Sequence, residues 1–275
     1  MNYQDFDYEL IDCGHYSRLE RFGAFIIDRP CAQAEWPHTV GDIEPQLFFD
    51  RKEGWSADVK LPETWQTKIG HITAEMRCSK NGQVGLFPEQ FDNWQWIHKK
   101  VTNAKKPLRI LNTFSYTGMS SLFASTPNTE VVHVDGAKSA INWAKRNAEL
   151  SGLNDNTIRW ICDDVQQFMA REVRRGKEYD AIILDPPAFG RGAKKDWKIE
   201  RDLKGLMKLV EQLLTDDPTF VILTCHAPEH FSAFQFANIL GRLPGFKNKA
   251  EELTLTIPSE KGHPLPSSFG ARIAN

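Results

Sequence analysis

Four carboxylates and one cysteine stand where an apolar run ends. Asp135 follows VVHV, Asp163 and Asp164 follow TIRWIC, Asp185 follows YDAIIL, and Cys225 follows TFVILT. In open α/β sheets, ligands bind at the carboxyl ends of the strands, so each of these is a candidate for chemistry. A carboxylate in that place can accept both hydroxyls of a ribose or the amino group of a base. A cysteine there is either a nucleophile or a small apolar filler, and the residue type does not separate the two.

The motifs differ in how much they say. NTFSYTG (112–118) places small and hydroxyl residues before a helix, where backbone N–H groups can face a carboxylate or phosphate; an ordinary strand-to-helix turn has the same composition. Asp135 lies 17 residues after Gly118, near the spacing of a ribose-binding acid in dinucleotide folds; the alternative is a cap for the next helix. One of Asp163 and Asp164 can likewise be a helix cap while the other reads an adenine. DPPAF (185–189) is the most specific. Its two prolines fix a stiff turn that projects the carboxylate and carbonyls at one place, with Phe189 near enough to stack on a planar ring.

The elements that must hold these residues are legible as a rhythm. From about residue 107, strands and helices alternate: PLRILNTF, TGMSSLFAS, TEVVHVD, a helix with Ala137, Ile141, Ala144 and Ala148 on one face, TIRWICDD, QQFMAREVRRG, YDAIILDPP, KGLMKLVEQLL and TFVILTC. ELTLTIP and SSFGARIA close the series. That alternation predicts an α/β, mostly parallel sheet covered by helices on both faces. Residues 1–97 read differently, as short strands (YELIDC, GAFIIDRP, QLFFDRK) between turn residues, and predict a small β-rich N-terminal module ahead of a second domain over 98–275.

Composition bounds the rest. The chain has 275 residues, 41% hydrophobic and 25% charged, with a formal net charge of −2. Five scattered cysteines without CxxC spacing argue against a disulfide framework or a zinc site, and no metal is expected. No apolar run reaches the roughly 18 residues of a membrane span. The start, MNYQDFDYEL, lacks the pattern of a secretion signal, which places the expectation in the cytoplasm.

Taken in order, NTFSYTG, VDGAKSAINWAKRNAELSGL, ICDDV and DPPAF resemble the class I S-adenosylmethionine-dependent methyltransferases, and more narrowly the 23S rRNA methyltransferases that modify cytosine or guanine. The likeness covers roughly residues 80–230. It implies a Rossmann-like seven-stranded sheet whose last strand is antiparallel. It also implies S-adenosylmethionine as cofactor and RNA, above all rRNA, as substrate. By position, Phe114, Ser115, Tyr116, Thr117 and Gly118 would surround the methionine part of the cofactor. Asp135 and Gly136 would meet the ribose, and Asp163 or Asp164 the adenine. Asp185, Pro186 and Pro187 would face the methyl group. GLFPEQ (85–90) resembles the family's segment ahead of the sheet, with Phe87 and Gln90 closing over the cofactor.

TCHAP resembles the segment that holds the nucleophilic cysteine in pyrimidine C5 methyltransferases of RNA, which leaves two acceptors open. C5 methylation needs Cys225 as a thiolate. N-methylation needs only Asp185, a proline carbonyl and Phe189. A basic stretch after DPPAF, with Arg191, Lys194, Lys195, Lys198, Arg201 and Lys204, is a candidate phosphate contact or a solvated helix face. A nicotinamide oxidoreductase would need GxGxxG where only Gly118 stands. A small-molecule or protein methyltransferase would share every cofactor motif.

Overall fold

A computed structural model describes residues 6–41, 43–58, 60, 62–153, 157–190, 196–226 and 231–275. The chain divides into two compact units. The first comprises residues 1–91, 146–152 and 256–267, and the second residues 92–145, 153–255 and 268–275.

The first unit is built on strands β1 (Tyr8–Gly14), β2 (Ser17–Phe22), β3 (Phe25–Pro30), β4 (Leu47–Asp50) and β5 (Gly54–Ala57), which form one sheet in that order. The β1–β2 hairpin turns on His15 and Tyr16, both at positive φ (48° and 62°), the backbone hand that a two-residue hairpin requires. Strands β6 (Trp65–Ile69) and β7 (Ile72–Met76) make a separate hairpin. Glu20, wholly buried on β2, accepts from the Tyr8 hydroxyl at 2.9 Å and from Arg29, so its charge is matched inside the unit. A 3₁₀ turn, Pro88–Gln90, follows.

The second unit carries α1 (Phe91–Thr102) from its second residue, β8 (Leu108–Thr113), α2 (Met119–Ala124), β9 (Thr129–Asp135) and α3 (Lys138–Leu150) as far as Lys145. It continues with β10 (Ile158–Cys162), α4 (Val165–Arg174), β11 (Ala181–Leu184), the short ribbon β12 (Phe189–Gly190) and β13 (Trp197–Lys198), and α5 (Ile199–Leu213). β14 (Phe220–Cys225), α6 (Ala233–Leu240), β15 (Glu251–Ile257) as far as Leu255 and β16 (Leu265–Ala274) from Ser268 complete it. The main sheet has seven strands in the order β10-β9-β8-β11-β14-β16-β15. β8 through β11 and β14 run parallel, and β16 returns antiparallel to β14. The fold expected from the alternating rhythm is the one observed.

The central strands are buried on both faces, as their unbroken apolar runs require. Every residue of β11 and β14 is buried. Helix α5 lays Leu203, Leu206, Val210 and Leu213 into the core that Phe168 and Met169 of α4 share. One detail differs from the sequence reading: Ala137 is exposed and precedes α3, so the buried face of that helix is carried by Ile141, Ala144 and Ala148. Asp135 accepts the Ala137 N–H at 2.8 Å instead. That bond holds Ala137 outside the helix.

Candidate active site

β9, β8 and β11 are neighbours, so the turns that leave their carboxyl ends lie side by side. The turn after β8 is strained. Phe114 and Tyr116 have φ of 54° and 46°, and Gly118 has 92°; two side-chain-bearing residues in the left-handed region cost about 1–3 kcal/mol each. Named bonds hold them there. Ser115 donates its N–H (3.3 Å) and its hydroxyl (3.1 Å) to the Val134 carbonyl, and Gly118 donates to Ser115 O at 2.9 Å. The Tyr116 N–H donates to Asp135 Oδ2 at 2.8 Å, and its ring packs on Trp143 with centroids 6.0 Å apart. A Cβ on Gly118 would fall 2.9 Å from the Ala144 Cβ, so this crossing of turn and helix requires glycine. Thr117 is buried beside it.

Asp135 therefore receives one backbone N–H on each oxygen, from Tyr116 and Ala137. A carboxylate has about four lone-pair sites, so each oxygen can accept a second donor. Burial pushes its carboxyl above the usual range, while the bonds from Ala137 and Tyr116 pull it down. Half-buried, with two accepting oxygens side by side, it suits a vicinal diol. Gly136 next to it is exposed, and a Cβ there would approach nothing nearer than the Asp163 carbonyl oxygen at 3.9 Å. The surface beside Asp135 is open at that point.

The Asp163–Asp164 pair separates into two roles. Asp164 is the N-cap of α4 and accepts from the Gln167 N–H at 2.9 Å. Asp163 hydrogen-bonds the Asp164 N–H at 2.8 Å and pairs with the Arg171 guanidinium. It is half-buried, and its N–H donates to the Asp135 carbonyl at 3.0 Å, which links the two strand ends.

The DPPAF turn leaves β11 next to β8. Asp185 accepts from the Thr224 hydroxyl at 2.7 Å, and Pro186 is buried while Pro187 is exposed. The sequence reading missed the residue that locks this turn. The Trp197 indole N–H donates to the Pro187 carbonyl at 2.6 Å, and its ring lies against Phe114 at 5.3 Å. Trp197 comes within reach because β12 and β13 pair, Gly190 opposite Trp197 and Phe189 opposite Lys198. The ribbon leaves Phe189, a large apolar side chain, 51% exposed.

Below the turn lies a second unforeseen feature. Asn112, Ser121 and His133 form a buried chain, Asn112 Nδ2 to Ser121 Oγ at 2.8 Å and Ser121 Oγ to His133 Nδ1 at 2.9 Å. Burial lowers the His133 imidazole to about 3, so it is neutral. Its Cε1 would sit 3.5 Å from a Cβ on Gly118, which makes this chain the floor of the turn. No spacing rule marks it, because the three residues come from β8, α2 and β9.

Cys225 ends β14 wholly buried, opposite Phe269 of β16 and inside the apolar core. Burial, and then the charge of Asp185, push its thiol up to about 12. It is a protonated side chain near neutral pH. His226 beside it is exposed, and Glu229 lies outside the described residues. Phe87 and Gln90 belong to the first unit, flanking and within the 3₁₀ turn, Gln90 buried. In the basic stretch, Arg191, Lys194 and Lys195 are outside the described residues, Lys198 and Lys204 are exposed, and Arg201 is engaged by Asp202 at 2.6 and 2.9 Å.

Comparison with known proteins gives this geometry a family. The model of the S-adenosylmethionine-dependent methyltransferases matches residues 49–236. The crystal structure of an S-adenosylmethionine-dependent methyltransferase from Agrobacterium tumefaciens superposes with a TM-score of 0.92 at 34% identity, covering 98% of this chain and 90% of that one. Ribosomal RNA large subunit methyltransferase I of Aeromonas salmonicida is 34% identical over 158 residues, 57% of this chain and 39% of that protein. Ribosomal RNA large subunit methyltransferase K of Neisseria meningitidis is 34% identical over 215 residues, 75% of this chain and 59% of the relative. The chain thus spans less than two thirds of either curated relative. No helix among the described residues is long and apolar enough to cross a membrane. The chain belongs to the S-adenosylmethionine-dependent methyltransferase family.

Proposed function

We propose that this protein transfers the methyl group of S-adenosylmethionine to a base nitrogen in RNA, with large-subunit rRNA as the substrate class and the cytoplasm as the place of action. The observation that carries this reading is the order of groups along neighbouring strand ends. Asp135 on β9, the strained turn after β8 and the DPPAF turn after β11 follow one another, and Phe189 stands exposed at the end of the series.

In this reading Asp135 takes both ribose hydroxyls on its second lone pairs, with Gly136 leaving room for the sugar. Asp163 faces the adenine and Asp164 serves as its helix cap. Residues 114–118 cradle the methionine part. Phe87 and Gln90 enter on the sequence resemblance alone. The cofactor supplies an electrophilic methyl on a sulfonium; the protein's own residues position the acceptor. Phe189 stacks on the target base, and Asp185 with a proline carbonyl accepts from its exocyclic amino group. Those two hydrogen bonds raise electron density on the nitrogen and fix its direction of attack, and Asp185 is placed to take the proton that the methylated nitrogen releases. Thr224 and Trp197 keep the acceptor groups aimed.

A second reading, C5 methylation of a pyrimidine, is favoured by one observation: Cys225 directly follows Thr224, whose hydroxyl holds Asp185. There a thiolate would add to C6, C5 would take the methyl, and a base would remove the C5 proton as the C6–S bond breaks and the thiolate leaves. Its burial and raised thiol oppose that step, so nitrogen is preferred.

The test is to incubate the protein with methyl-labelled cofactor and total RNA, ribosomal subunits or protein extract, and to map the methylated atom by mass spectrometry. The expected product is an N-methylated base, with Asp185→Ala lowering kcat by about 100-fold or more and Cys225→Ala active. Label in protein would overturn the RNA substrate. A C5-methyl product lost in Cys225→Ala would replace the first reading by the second.

A further inference from the structure

A groove opens at the opposite end of the sheet from the candidate active site. Its walls are the last turns of α1, the loop from α1 into β8, and the residues just before β14, and its volume is about 670 Å³. Lys99, Lys100, Lys105 and Lys106 line it together with Trp96 and Asp217. Leu108 is the first residue of β8 and Thr219 immediately precedes β14, so the groove sits at the amino ends of these parallel strands. β8 is six residues long, roughly 20 Å at strand rise, which separates the groove from the methyl-transfer site.

The charges in the groove are only partly matched. Lys106 Nζ bonds Asp180 at 2.9 Å and the Asp217 carbonyl at 3.2 Å, and stands 4.0 Å from the Asp217 carboxylate. Lys100 Nζ donates to the Asn275 carbonyl at 3.3 Å and lies 5.5 Å from the centre of the Trp96 ring. Arg272, which pairs with Glu251, adds a second cation over that ring at 4.8 Å. Lys99 and Lys105 are exposed and have no ion pair among the described residues. Burial, and the repulsion of Arg272 and Lys99, lower the Lys100 ammonium below its ordinary value. An anion in the groove would relieve that repulsion.

We propose that this groove is a second RNA-binding site, which grips the phosphodiester backbone of a segment flanking the target nucleotide. Flexible point charges spaced along a groove beside an aromatic wall are what a nucleic-acid backbone requires. Four ammonium groups in one groove, two from the last turn of α1 and two from the following loop, offer partners to more than one phosphate. The inference rests on RNA being the substrate. Its distance from the transfer site gives it a distinct signature: the groove sets affinity and leaves the chemical step alone.

The test uses the full chain and a labelled rRNA fragment that the protein methylates, or total rRNA fragments if none is methylated. Binding is followed against salt for the wild type and for Lys99→Gln/Lys100→Gln/Lys105→Gln. The triple variant should bind about 10- to 100-fold more weakly near 50–100 mM salt, and the slope of log affinity against log salt should fall by about 2. KM for RNA should rise in step while kcat at saturating RNA stays unchanged. Calorimetry with S-adenosylhomocysteine checks that the variant is folded; should it not be, Lys99→Gln/Lys105→Gln, which touches two exposed side chains, gives the same test with a smaller slope change. Wild-type RNA binding with an unchanged affinity and slope in the variant would overturn the groove and leave the RNA reading standing. A wild type that binds no RNA would overturn both.

Discussion

The ends of β8 and β14 occupy equivalent positions at the carboxyl ends of the parallel strands of one sheet, yet they are built for opposite purposes. After β8 the backbone is strained at Phe114 and Tyr116, and Asp135 beside it keeps two accepting oxygens near an open surface. β14 ends in Cys225, sealed among apolar side chains with its thiol pushed up to about 12. Topology nominates both places; burial distinguishes them. Strain maintained by several hydrogen bonds is retained where a ligand is to be held. A cysteine without solvent or a cationic neighbour behaves as a small hydrophobe.

The contrast can be broken from either side. The larger effect is expected at the turn. Gly118→Val places a branched side chain at φ 92° with its Cβ 2.9 Å from the Ala144 Cβ. It should cost about 1–3 kcal/mol in urea unfolding and weaken cofactor binding by tenfold or more. A variant with native stability and affinity would mean that the turn does not need its observed shape. The smaller effect is expected at Cys225. Thiol alkylation of the folded protein between about pH 7 and 9 should modify the exposed Cys162 and leave Cys225 intact, because a thiol at about 12 is protonated throughout that range. Rapid labelling of Cys225 in that window would show a reactive thiolate and return the nucleophile to consideration.

How far the sequence could be read follows from what holds each element. TEVVHVD is β9 from first residue to last because its buried core and its terminal carboxylate are both local signals. The pair Asp163–Asp164 was legible as a pair, but which member caps α4 is decided by backbone geometry. Several features went unread, among them the β6–β7 hairpin, helices α1 and α6 and the β12–β13 ribbon. Helix α1 begins in FDNWQW, whose aromatics carry weak helical preference. Helix α6 is eight residues long, too short to display a repeating face. The β12–β13 ribbon pairs two residues with two and carries no periodicity, so Trp197, 12 residues beyond Asp185, gave no hint of its bond to Pro187. The buried chain Asn112–Ser121–His133 was hidden for the same reason: its members meet only in three dimensions.

The central claim is that Asp135 and the strained turn before it hold S-adenosylmethionine. Calorimetric titration of the wild type and of Asp135→Asn with S-adenosylhomocysteine tests it most directly. Replacing one carboxylate oxygen by an amide nitrogen removes a charge-assisted acceptor worth about 1.5–3 kcal/mol, so affinity should fall by about 10- to 100-fold. The amide also sets a donor against the Tyr116 or Ala137 N–H, so the unfolding midpoint falls as well and binding is compared at a temperature where both proteins are folded. Equal affinity in the two proteins, or no binding by the wild type, would contradict the account.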